Sequence, residues 1–313
     1  MSNSLFCIVF PGQGSQSIGM LSALAEAHPV ISQTFTEAAD ALGYDLWSLT
    51  QNGPLEALNQ TTKTQPAMLA AGVSVWRVWQ EQGGAKPMLM AGHSLGEYSA
   101  LVCAEAIEFT DAVKLVSERG RFMQEAVPEG SGGMAAILGL DDAKVEEVCA
   151  AAASGEVVEA VNFNSPGQVV IAGNKRAVDR ACEIAKAAGA KGALPLPVSV
   201  PSHCALMKPA AECLQEQLSS ISISSPSIPV LHNVNVEQAS DVVSICELLT
   251  AQLYSPVRWA ETLQKMTTLG CTSLLEAGPG KVLAGLTKRI DRGLTGMPIF
   301  DTKSLNHALE TMR

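Results

Sequence analysis

The chain has 313 residues, 47% of them hydrophobic, enough to bury a sizeable core as one large domain or as one domain carrying an insertion. Its 21 basic and 31 acidic residues leave a net charge of −10, which argues against a general nucleic-acid or membrane-surface binder but leaves room for a local basic patch. No basic segment precedes a long apolar run near Met1, and no run approaches a membrane span, so neither a signal peptide nor a membrane anchor is expected. The eight cysteines form no C-x-x-C pair and read as small core residues in a reducing cytoplasm. Five histidines, none in H-x-x-x-H spacing, give no reason to expect a metal site.

In chain order, Leu5 to Phe10 is continuously apolar, the pattern of a strand buried on both faces of a parallel sheet. It runs into Pro11-Gly12-Gln13-Gly14-Ser15-Gln16. The third glycine of G-x-G-x-x-G is replaced by Ser17, so a dinucleotide fingerprint is a poor fit. The loop reads either as a backbone surface that can face a ligand or as an ordinary strand–helix connection. The spacing predicts helices over His28 to Ala41 and Thr64 to Gln80, the second apolar around much of its circumference and therefore buried. Met88 to Ala91 is then a short apolar strand that leads into Gly92-His93-Ser94-Leu95-Gly96 and a helix starting Glu97-Tyr98-Ser99. G-x-S-x-G between a strand and a helix is the setting of a nucleophile elbow, with Ser94 at the tip and the next helix N-terminus behind it. The alternative is a small-residue turn with a capping serine. His93 adjoins the serine and is expected to point away from it.

On the helix predicted over Asp111 to Glu125, the neighbours of Arg119 one turn away are Leu115, Val116, Phe122 and Met123. Arg119 therefore projects from the buried face, and Arg121, among Ser117, Glu118, Gln124 and Glu125, from the solvent face. A guanidinium on an apolar face needs an anion. That anion is either a distant acid in a structural ion pair or the carboxylate or phosphate of a ligand.

Beyond the glycine-rich break at Pro128 to Gly133 the rhythm changes. Met134 to Leu140, Val157 to Phe163, Gln168 to Ala172 and Ala193 to Val200 read as strands, with helices over Asp141 to Ala153 and Lys175 to Ala188. That β-α-β-β-α-β order is the split βαβ of a ferredoxin-like unit. The expected fold is α/β: a hydrolase-like, mostly parallel core formed by residues 1–127 and 200–313, with residues 128–199 inserted as a ferredoxin-like α+β subdomain. Val200-Pro201-Ser202-His203 follows the insertion, at a strand-to-helix junction where active-site residues of open α/β sheets collect. Strands around Val230 and over Thr272 to Glu276 complete the pattern, with helices over Ile245 to Leu253, Trp259 to Leu269 and Lys281 to Ile290. Gly280-Lys281 lacks the spacing of a phosphate-binding loop.

Phe10-Pro11-Gly12-Gln13-Gly14-Ser15-Gln16, Gly92-His93-Ser94-Leu95-Gly96-Glu97-Tyr98, Arg119-Gly120, Asn162 to Gln168, Pro201-Ser202-His203, Ser255 to Trp259 and Glu276 to Gly280 together resemble the malonyl-CoA:acyl carrier protein transacylases of fatty acid synthesis. The resemblance spans nearly the whole chain and is closest to the stand-alone bacterial enzymes. It implies that Ser94 is the nucleophile, His203 its general base and then general acid, and the N–H groups of Gln13 and Leu95 the oxyanion hole. It implies that Arg119 clamps the malonyl carboxylate, that Met123 and Asn162 contact substrate, and that the main-chain carbonyl of Gln252 orients His203. It further implies malonyl-CoA and the holo acyl carrier protein as partners, with no cofactor. The net charge and the scattered cysteines give the expectation of a cytoplasmic protein that binds neither nucleic acid nor membrane, and nothing demands more than a monomer. An acidic carrier and an acidic chain require a local basic patch, for which Lys281, Lys288, Arg289, Arg292 and Lys191 are candidates.

Three other readings compete. A serine esterase or thioesterase of the α/β-hydrolase type would need an acid between Ser94 and the histidine, and none stands out. A patatin-like Ser-Asp hydrolase would need an Asp-Gly dipeptide, which the chain lacks. A non-catalytic carrier-binding module would not need Ser94, Arg119 and His203 together.

Overall fold

The computed structural model describes residues 5–198 and 200–312. It has two sheets. The first runs β7-β2-β1-β8-β9, with every pairing parallel. Its strands are β1 (Phe6–Phe10), β2 (Leu89–Gly92), β7 (Val230–Leu231), β8 (Ser273–Ala277) and β9 (Thr295–Ile299). β1, β2 and β8 are buried along their whole length, as strands covered by helices on both faces are; β1 and β2 carry no polar side chain, while β8 also buries Ser273 and Glu276. One face packs on the large core that includes the helix Thr61–Glu81, which is buried around most of its circumference and lies against the helix Phe109–Ala126. The other face, with Cys7, Val9, Leu89 and Leu274, packs on Trp259, Leu263 and Leu283.

The second sheet runs β4-β5-β3-β6, all antiparallel, from β3 (Gly132–Leu138), β4 (Val158–Ser165), β5 (Gln168–Asn174) and β6 (Gly192–Pro195). This is the ferredoxin-like order. The helices Asp142–Ala152 and Lys175–Ala187 cover one face and enclose a core of its own around Ile137, Val145, Ile171 and Ala181. On the other face, Met134, Val161, Val170 and Ala172 pack on Cys204. Main-chain bonds tie the second sheet to the segment leading into the helix Trp259–Thr268: Phe163 donates to Val257 O at 3.0 Å and Val257 donates to Val161 O at 2.8 Å.

Several expectations are corrected. The strand expected over Ala193 to Val200 ends at Pro195; Pro195 and Pro197 have no N–H to continue a ladder, and Ser199 lies outside the described residues. Short helices at Ser22–Ala27, Leu46–Asn52 and Leu55–Leu58, strand β9 and the final helix Thr302–Thr311 were not anticipated. β9 contains Gly296 and Pro298, which an edge strand tolerates and a central strand does not, so its sequence does not read as a strand. Among the described residues, no helix is long and apolar enough to cross a membrane.

Candidate active site

The loops leaving the C-terminal ends of β1, β2 and β7 carry Gln13, Ser94 and Asn233. Ser94 sits at φ 52°, in the left-handed region, between two glycines that the fold crowds on both sides. A Cβ on Gly92 would lie 1.8 Å from the Gly96 carbonyl carbon, and one on Gly96 would lie 2.0 Å from Phe10 O. Only glycine allows the elbow to approach β1 so closely. The helix Gly96–Cys103 begins directly behind the serine and aims its N-terminus at the turn.

Ser94 Oγ lies 2.7 Å from His203 Nε2. His203 Nδ1 lies 2.7 Å from the main-chain oxygen of Gln252. A carbonyl can only accept, so Nδ1 carries the proton and Nε2 is left to accept from the serine hydroxyl. His203 is itself left-handed at φ 67° and almost fully buried. Burial first, and the nearby Arg119 charge second, push its pKa down to about 3. The imidazole is therefore neutral, as a base towards serine must be.

Arg119 is 1% exposed. Its Nη1 donates to Gln65 Oε1 at 2.8 Å and its Nη2 to Gln252 Oε1 at 3.0 Å, while Nε has no partner. The Tyr98 ring lies 5.3 Å from the guanidinium carbon. Among the described residues no carboxylate forms an ion pair with it. Arg121, by contrast, is paired on the surface with Glu118 and Glu125. The structural ion pair left open for Arg119 is therefore absent, and the cation faces the site with donor capacity unused.

Ser94, His203 and Arg119 line one cavity of about 110 Å³. Gln13, Leu95, Met123 and Asn162 line it too, and Asn162 Oδ1 is buried with no hydrogen-bond partner among the described residues. No main-chain hydrogen bond among the described residues takes up the N–H of Gln13 or Leu95. Gln252 stands behind the cavity, fully buried. His93 is among the residues that line the cavity; its ring tilts against Trp259 and donates from Nε2 to Asn164 Oδ1 at 2.8 Å.

Some site residues escaped sequence reasoning. Asn233 accepts from Ser94 N at 2.7 Å and donates to Gly92 O at 2.7 Å, bracing the elbow at both ends. It follows a short strand, as a residue at the C-terminal edge of a parallel sheet should, and that position was the available signal. Gln65, a carboxamide on the buried side of a mostly apolar helix, was a second. Glu97 and His232 are both fully buried and joined at 2.8 Å.

A strained serine and a buried neutral histidine at the edge of a parallel sheet, with a cation in the same cavity, are the equipment of acyl transfer to and from a serine ester. The family model described as the acyl transferase domain matches residues 7–293. The malonyl CoA-acyl carrier protein transacylase of Salmonella typhimurium is 60% identical over 97% of this chain and 98% of its own length. That of Bacillus subtilis is 45% identical over 99% of this chain and 98% of its own. The structure of an acyl carrier protein S-malonyltransferase from Vibrio cholerae superposes with a TM-score of 0.95 at 60% identity, covering 97% of this chain and 99% of that one. A malonyl-transacylase solved in complex with a holo type II PKS acyl-carrier protein superposes at 0.98 with 59% identity, over 98% of this chain and all of that one. The chain belongs to the acyl transferase family and, within it, to the malonyl CoA-acyl carrier protein transacylases.

Proposed function

We propose that the protein moves a malonyl group from malonyl-CoA to the phosphopantetheine thiol of acyl carrier protein through a malonyl ester on Ser94, supplying an extender unit for fatty acid synthesis. The observation that carries this reading is the 2.7 Å Ser94–His203 contact in a cavity shared with an Arg119 that has no acid of its own. His203 Nε2 takes the Ser94 proton as Oγ attacks the thioester carbonyl. The N–H groups of Gln13 and Leu95 receive the oxyanion. The carbon–sulfur bond breaks, and His203 passes its proton to the departing CoA thiolate. The carrier thiol then gives its proton to His203 and attacks the ester. Oγ leaves and recovers that proton. Each half-reaction is the other run backwards, so one neutral imidazole serves both.

The malonyl carboxylate is held by the unused donors of Arg119, in a geometry where planar guanidinium recognition is strong. Met123 and Asn162 bound the acyl and thioester ends. No cofactor enters the scheme. The carrier docks on the exposed Lys281, Lys288, Arg289, Arg292 and Lys191. The protein works as a cytoplasmic monomer without nucleic acid or membrane, a reading supported by its net charge of −10 and free cysteines.

The test is intact-protein mass after brief exposure to malonyl-CoA, followed by holo acyl carrier protein. A malonyl adduct that Ser94→Ala lacks, and that discharges onto the carrier, is expected. An adduct lost only to free malonate would make the protein a hydrolase, and no adduct would leave it a binding module.

A further inference from the structure

Behind the cavity, and not lining it, lies a buried polar cluster that the scheme above does not use. Its centre is Glu97, the second residue of the helix Gly96–Cys103. The carboxylate is 0% exposed and accepts three hydrogen bonds: from His232 Nδ1 at 2.8 Å, from Asn233 N at 2.9 Å and from Gln252 Nε2 at 2.9 Å. Gln252 Nε2 also donates to Ser94 O at 3.1 Å. The amide oxygen of Gln252 accepts from Arg119, and its main-chain oxygen accepts from His203.

We propose that Glu97 is a positioning residue for malonyl transfer: its carboxylate fixes which end of the Gln252 amide faces Arg119, and so holds that arginine ready for a ligand carboxylate. The inference rests on the proposed role of Arg119 in holding malonyl. An amide can present its oxygen or its nitrogen. Turned over, Gln252 would set N–H donors against the guanidinium and an oxygen acceptor against the Glu97 carboxylate, and both contacts would repel. The acid therefore selects one orientation. The arrangement also explains how a buried cation survives without an acid in contact. Its countercharge stands one carboxamide away, so Arg119 is compensated and Nε stays unpaired. An acid bonded directly to Arg119 would occupy the donors that malonyl needs.

The experiment compares Glu97→Gln with wild type, using malonyl-CoA and acetyl-CoA as donors and phenylmethylsulfonyl fluoride as a probe of Ser94 reactivity that carries no carboxylate. Removing the charge takes away one of the contacts that fix the Gln252 amide, together with the countercharge of Arg119. The expected result is a rise of about tenfold or more in KM for malonyl-CoA, with acetyl transfer and sulfonylation changed by less than about threefold. Gln252→Glu is the second variant. It places one carboxylate oxygen on Arg119 and the other against Glu97, so that the two acids must share a proton, and it is expected to depress malonyl transfer more than acetyl transfer, which decides the matter if Glu97→Gln does not fold. A parallel loss with both donors and the probe, or an unchanged malonyl-to-acetyl ratio in both variants, would overturn the proposal and make Glu97 a brace for the elbow alone. Wild-type malonylation of Ser94, measured first, keeps a failure of the proposed function distinct from a failure of this inference.

Discussion

Arg119 is buried among Leu115, Val116, Phe122 and Met123, with two carboxamides for partners and no acid in contact. Truncating it should therefore act on substrate choice. Arg119→Ala is expected to lose malonyl transfer by about a hundredfold or more, on the scale of a charge-assisted contact, and acetyl transfer by much less. Equal loss with both donors, measured as kcat/KM, would remove the clamp. His203 makes a second expectation at this scale. Burial, and then Arg119 and the adjacent His93, hold its pKa near 3 against an ordinary 6.5. The unfolded chain binds a proton near 6.5 that the native site refuses. The contribution of His203 to stability is thus complete above about pH 6.5 and is lost as pH falls from there towards 3. Between about pH 7.5 and pH 5, wild type should lose about 2 kcal/mol more than His203→Asn in denaturant titrations. The kcat/KM for acylation by malonyl-CoA should likewise show no acid limb near pH 6.5; a limb there would mean that the base protonates in the free enzyme.

At the scale of elements, the glycines of the elbow are constrained by space. Gly96→Ala would put a methyl 2.0 Å from Phe10 O and is expected to abolish soluble protein. Gly285→Ala, on the helix Val282–Ile290 with nothing within 4 Å, should stabilise by about 0.5–1 kcal/mol, read as a rise in melting temperature. The same contrast explains what the sequence made legible. Elements with a strong period or an unbroken apolar run, such as β1 and the helix Phe109–Ala126, could be read from it, and so could the strand–turn–helix around Ser94. Elements fixed by contacts from afar could not: β9 with its Pro298, and the short helices before Thr61. Motifs identified a part of the site but not every role within it. Glu276 of the Glu276-Ala277-Gly278-Pro279-Gly280 stretch is a buried acid that accepts the N–H groups of Leu283 and Ala284, capping a helix whose own first residues offer no side-chain cap. Gln252 was read for its carbonyl alone, because nothing in a linear chain says that its amide meets Arg119 and Glu97.

At the scale of the molecule, the small antiparallel sheet is tied to the segment leading into the helix Trp259–Thr268, which packs on one face of the large sheet. β4 bonds to Val257 through Val161 and Phe163, and His93 beside the serine bonds to Asn164, the next residue of the same strand. We take residues 128–199 as the inserted unit, and expect its removal to unfold the remainder, since Val161, Phe163 and Asn164 would leave main-chain and side-chain groups of the catalytic domain unpaired. The two units also meet at the surface, where Arg289 reaches Gln168 at 3.1 Å. Reversing charge at Lys288 and Arg289 together should slow discharge onto the acyl carrier protein by about tenfold, more at low salt than at high, while leaving self-acylation by malonyl-CoA intact. If both steps fall together, the patch serves the fold instead.

Both residues of the proposed reacting pair, Ser94 at φ 52° and His203 at φ 67°, occupy backbone conformations that a side chain disfavours by about 1–2 kcal/mol each. Glycine would be at ease in either place. A population selected only for resistance to heat would therefore drift towards Ser94→Gly and His203→Gly, gaining robustness while losing its chemistry. The pair persists in a lineage only while the transferred acyl group is needed, which makes the strained turn a record of continuous use.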